Sequence, residues 1–117
     1  MKTPMRVFLD ELVKTSIALT IGPGGPTDCH SDLMNGVIYL GNELPEDVQG
    51  IVGLHELGHF ETGKFFPPEV RFILDRDVMY ALELAAWDWA EKRMPPGYEG
   101  LFYEIKIVGL TSYQRRI

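Results

Sequence analysis

Two histidines and a glutamate define the chemistry open to this chain. They stand in His55-Glu56-Leu57-Gly58-His59, inside the apolar run from Ile51 to Phe60. On a helix, residues four apart share a face, so both imidazoles can reach one ion while Glu56 lies beside it. Zinc takes His nitrogen at about 2.0–2.1 Å, and a catalytic zinc site uses three protein ligands with one position left for water. The spacing implies a metal-dependent hydrolase and demands a third ligand.

The downstream acids are the candidates: Glu61, Glu69, Asp75, Asp77, Glu83, Asp88, Glu91, Glu99 and Glu104. Helical spacing ranks them. Around Glu83, the residues Met79, Tyr80, Ala86, Trp87 and Ala90 form an apolar stripe that carries the carboxylate toward the core. A buried carboxylate without a partner is costly, and metal coordination compensates it. Glu83 is therefore the expected third ligand, with a core ion pair to Arg76 or Arg93 as the alternative that needs no metal. Asp77, beside Ile73, Leu74 and Ala81, ranks second. Asp88, flanked by Glu91 and Lys92, reads as solvated.

These residues need elements to position them. The helix bearing the histidines is expected over about residues 45–62, with Pro45 at its first position, Glu46 and Asp47 in its first turn and Gly63 just past its end. Gly50, Gly53 and Gly58 each cost about 1 kcal/mol of helix propensity, which implies close packing or a close-approaching substrate. After the breaker Phe65-Phe66-Pro67-Pro68, a second long helix is expected over about residues 69–93; the pattern leaves open a break around Asp75-Arg76-Asp77. Met94-Pro95-Pro96-Gly97 ends it.

Ahead of the motif, Met5 to Lys14 reads as a short amphipathic helix and Ser16 to Ile21 as a half-buried strand. Gly22 to Asp32 reads as a surface loop. Val37-Ile38-Tyr39-Leu40 reads as a second strand which, at a sheet edge above the cleft, would hold substrate by strand addition. Tyr98 to Ile117 fits both periodicities, with helix preferred. The fold class that follows is α+β, a small antiparallel or mixed sheet packed on the two long helices in one domain.

Composition narrows the function. A chain of 117 residues with 45% hydrophobic content builds one core. A net charge of −6 argues against nucleic acid, since phosphate contacts need clustered Lys and Arg, and only Gln114-Arg115-Arg116-Ile117 is locally basic. No apolar run approaches the roughly 18 residues of a membrane span, and Asp10, Glu11 and Lys14 interrupt any signal-peptide core. The single Cys29 excludes an internal disulfide and suits a reducing compartment. A cytoplasmic protein without a membrane partner is expected. Cys29-His30 invites a thiol that blocks the metal, but a loop Cys and His with no further role is the preferred reading.

The motif, followed by Glu83-Leu84-Ala85-Ala86-Trp87-Asp88-Trp89-Ala90 and then Met94-Pro95, resembles the ImmA/IrrE-type metallopeptidases. Their pattern is an HELGH helix, a helix reading Glu-x-x-Ala-x-x-aromatic-Ala, and a closing Met-Pro. The resemblance covers about residues 5 to 95 and implies a zincin-like fold, Zn2+ held by His55, His59 and Glu83, and Glu56 as general acid/base. It departs at Trp87, where the family commonly has Asn. The chain also ends soon after Met94-Pro95, without the further C-terminal domain of many relatives, so no particular repressor substrate comes with the resemblance. The size is similar to minimal single-domain gluzincins, in which a terminal segment can fill the cleft.

The expected activity is a zinc-dependent endopeptidase of narrow specificity, acting on a protein or peptide such as a regulatory protein. Tyr80, one turn before Glu83, is the first candidate for stabilising the oxyanion, with His30, Tyr98 and Tyr103 behind it. Two alternatives remain: a catalytically weak or inactive zincin-fold regulatory module that holds a partner, and a zymogen with residues 98–117 over the cleft.

Overall fold

The computed structural model describes residues 2–64 and 76–115. Thr3 starts the first helix, α1 (Pro4–Leu12): its hydroxyl accepts the Arg6 amide at 3.2 Å, and Pro4 sits in the first turn, where its missing N–H costs nothing. Phe8 and Leu12 turn inward and Arg6 and Asp10 pair outside. Thr15 then closes a turn, its hydroxyl donating to Leu12 O at 2.7 Å and accepting from Ile17 N–H. That turn delays the first strand, β1 (Ala18–Gly22), by two residues relative to the expected start at Ser16.

The segment expected to be a loop contains structure. Pro26–Asp28 forms a 3₁₀ turn and His30–Asp32 is a strand, β2, antiparallel to β3 (Val37–Gly41). Asp32 caps the intervening turn by accepting from Asn35, and Gly36 closes it at a φ of +67°, a left-handed conformation that suits glycine. β1 runs parallel to β3, so the three-stranded sheet is mixed and ordered β1-β3-β2. Val37–Gly41 is thus the central strand, so the condition for substrate to pair with it at a sheet edge is not met. Its alternation places Ile38 and Leu40, both fully buried, toward the helices.

The helix that carries the motif, α2 (Glu46–Gly63), matches the expected span closely, although Pro45 caps it from outside and Gly63 stays helical. Its glycines are explained by packing on two sides. A Cβ at Gly50 would overlap the Pro4–Met5 backbone, one at Gly53 would lie 2.8 Å from Phe8, and one at Gly58 would lie 2.5 Å from the Ala86 carbonyl. Gly50 and Gly53 let α1 approach closely, and Gly58 does the same for α3 (Arg76–Glu91). The core of Phe8, Ile38, Leu40, Ile51, Leu54 and Leu57 lies between these helices and the sheet.

The last element is helical, α4 (Glu99–Arg115), and seals the core with Phe102 and Leu110. The Phe65–Pro68 breaker and residues 69–75 of the expected second helix lie outside the described residues. Among the described residues, no helix is long and apolar enough to cross a membrane.

Gly50 offers a stability test. In an exposed helix, Gly→Ala stabilises by about 1 kcal/mol, but here the methyl meets backbone, which cannot swing aside. Gly50→Ala is expected to destabilise the chain by about 1–3 kcal/mol in urea unfolding. A stabilised variant would contradict this α1–α2 packing.

Candidate active site

One turn of α2 separates His55 from His59, and both rings leave the same side of the helix. Glu83 faces them from α3, at the point where Gly58 lets the two helices close on each other. His55 Nε2 lies 2.8 Å from Glu83 Oε2, His59 Nε2 lies 3.3 Å from Glu83 Oε1, and the two Nε2 atoms are 3.1 Å apart. Ligands at zinc–donor distances in a tetrahedron stand about 3.3 Å from one another, so each separation is close to a ligand edge. Two imidazoles and a carboxylate are also a donor set suited to zinc. Among the described residues, these three form the group able to hold a metal.

Their electrostatics reflect mutual dependence. Burial works against charge on His55, but hydrogen bonds and charge from Glu56 and Glu83 outweigh it and raise its pKa to about 9. Burial likewise opposes the Glu83 and Glu56 carboxylates. Hydrogen bonds from the histidines prevail and hold both below the ordinary carboxylate range, with Ser31 assisting Glu56.

A pH prediction follows for the metal-free chain. The raised His55 pKa stabilises the fold fully below about pH 6.5 and is lost as pH climbs through about 9. The lowered carboxylates stabilise it above about pH 4.5 and are lost as pH falls through their depressed folded values. Urea unfolding of chelator-treated protein should therefore show lower stability at pH 9 than at pH 5.5. Zinc should add more stability at the higher pH, because ligation requires neutral imidazole. A pH-independent increment from zinc would contradict the ligand assignment.

Glu56 is buried beside this group of donors and lies outside the set of three. Its Oε1 lies 3.4 Å from His55 Nδ1, and its Oε2 accepts a short hydrogen bond from the Ser31 hydroxyl on β2. Sequence reasoning missed Ser31, since it lay in the presumed loop. Trp87, one of the apolar stripe around Glu83, is packed in the core, but its ring also stacks on His55, with centroids 4.0 Å apart and planes 10° from parallel, and Phe102 of α4 supports its edge. The indole thereby restrains the orientation of the His55 ring.

Two recesses border the site. A cavity of about 290 Å³ is lined by Cys29, His30, Ser31, Leu33, Glu56, His59 and Glu83. On the other side of Glu56, an apolar groove of about 390 Å³ runs between Val48, Val52, Trp87, Ile105 and Val108, with Glu104 among its lining residues. His30, stacked on Tyr39, is the one group among the four oxyanion candidates that lines either recess. Tyr80 packs against the core, and Tyr103 is exposed. Asp77 is exposed, which removes the geometric reason for ranking it second. Cys29 borders both recesses, but its sulfur accepts the Gly41 amide at 3.3 Å, and burial pushes its thiol pKa up. α4 lines the apolar groove and not the cavity beside the ligands, so its described residues do not cover that cavity.

No protein-family model matches the chain, and neither a curated protein nor a solved structure is significantly similar to it.

Proposed function

We propose that this chain is a zincin-like, zinc-dependent endopeptidase in which His55, His59 and Glu83 hold the ion and Glu56 moves the proton. The observation that carries the reading is the convergence of three donor atoms at zinc-ligand spacing, next to a buried carboxylate left free of the ligand set. The resemblance to ImmA/IrrE-type metallopeptidases on the same residues supports it. Zinc, when bound, supplies an activated water and a Lewis acid for the scissile carbonyl. The chain supplies the rest. Glu56, held ionised by its neighbours, accepts a proton from the attacking water and returns it to the leaving amine.

Substrate binding is assigned to β2 rather than β3. Among the described residues β2 is an edge strand, and His30 and Ser31 on it line the cavity beside His59 and Glu83, so an extended peptide adding to its outer side would pass the site. The apolar groove beyond Glu56 suits an apolar side chain of that peptide. The chain's net charge of −6 favours neutral or cationic segments. A requirement for strand pairing and one apolar side chain implies narrow specificity, as for a regulatory protein, and the single thiol fits a cytoplasmic setting.

Unfolded casein is a suitable first probe. The zinc-loaded chain should cleave it, a chelator should stop cleavage, and one equivalent of zinc should restore it. Cleavage that persists through chelation would remove the metal from the reaction.

A further inference from the structure

Ser31 occupies an anomalous position. It pairs with Ile38, which is fully buried, so its side chain emerges on the sheet face that packs on α2. Half-buried there, the hydroxyl loses part of its water and is stabilised by a hydrogen bond within the protein. Among the described residues its acceptors both belong to Glu56: the carboxylate Oε2, and the main-chain carbonyl at 3.0 Å. The hydroxyl has one proton, and the charged carboxylate is the closer and stronger acceptor.

Glu56 needs such an anchor. A glutamate has three side-chain torsions, and His55 Nδ1 restrains only Oε1, at 3.4 Å. We infer that Ser31 is a positioning residue that fixes the Glu56 carboxylate for proton transfer and locks it to the substrate-pairing strand. This rests on the proposed role of Glu56 as proton acceptor. Because Ser31 sits on β2 itself, the strand assigned to the peptide and the base that serves the reaction keep one spatial relation. His30 and Asp32 alternate to the opposite face, so Ser31 alone on this strand can make the link.

The test uses cobalt in place of zinc, read by its visible spectrum, with acetohydroxamic acid as the probe. That acid binds a metal as its anion and passes its proton to a nearby base, which here is Glu56. Azide binds already ionised and serves as the control. Ser31→Ala should take up one cobalt per chain and bind azide as wild type does. It should bind acetohydroxamate on the order of tenfold more weakly, and cleave casein on the order of tenfold more slowly in kcat with KM unchanged.

Ser31→Thr should restore both properties, whereas Ser31→Val, with the same shape but no hydroxyl, should not; this pair carries the test should the Ala variant fold poorly. Equal acetohydroxamate affinity in the Thr and Val variants would overturn the inference while leaving the metal site intact. A wild-type chain that takes up no cobalt would overturn the metal reading, and the inference with it.

Discussion

Replacing Glu83 by alanine should empty the metal site. With two imidazoles left, zinc affinity is expected to fall on the order of a thousandfold, as about a third of a typical protein–zinc binding free energy is lost. The carboxylate does two things in the structure. It supplies the third donor, and its charge helps hold the His55 imidazolium when no ion is present. Glu83→Ala should therefore also lower the stability of the metal-free chain near pH 5.5, where a charged His55 gains most from that partner. Metal analysis after equilibrium dialysis, beside urea unfolding, reads both effects. A variant that retained one zinc at wild-type affinity would return the third ligand to the other acids.

Glu56→Gln should separate binding from chemistry. The amide keeps the shape and can still accept from Ser31, so the fold and zinc content should stay at wild-type levels. It cannot accept a proton, and hydrolysis should fall by about 10²–10⁴-fold, the usual contribution of a general base. The same comparison distinguishes an enzyme from a module that only holds a partner, since a binding module would lose nothing with Glu56. Full casein hydrolysis by Glu56→Gln at wild-type zinc content would exclude this carboxylate as the base.

The three converging donors are legible in the sequence because helices convert spacing into direction. His55 and His59 share a face by arithmetic, and the apolar stripe around Glu83 marked it as inward-facing before any contact was known. The extent of α2 follows from its end signals, Pro45 and Gly63, whereas the segment from Tyr98 onward fits both periodicities and its helix, the preferred reading, is decided by packing on the core. What escaped was non-local. His30-Ser31-Asp32 is polar and three residues long, so nothing in its composition signals a strand; it is one because β3 offers it a partner. Strand order depends on how the chain returns across the sheet, which local pattern does not encode, so the central place of β3 is visible only in the structure. Ser31 and Trp87 were missed for a related reason. A serine in a turn-rich segment and a tryptophan in an apolar helix stripe both have ordinary explanations, and only their packing against Glu56 and His55 shows more. Tyr80 illustrates the converse: sharing a face with Glu83 on the sequence did not bring it to the cavity, because one turn along α3 it meets the core.

On the proposed reading, this group of donors performs hydrolysis. The most direct measurement exposes a mixed peptide library to the wild-type chain loaded with one zinc and reads newly formed termini by mass spectrometry, with the chelated protein and Glu56→Gln alongside. New termini are expected in the zinc-loaded wild type alone, clustered around an apolar residue. A chain that carries its zinc at full occupancy and produces no zinc-dependent termini would contradict it.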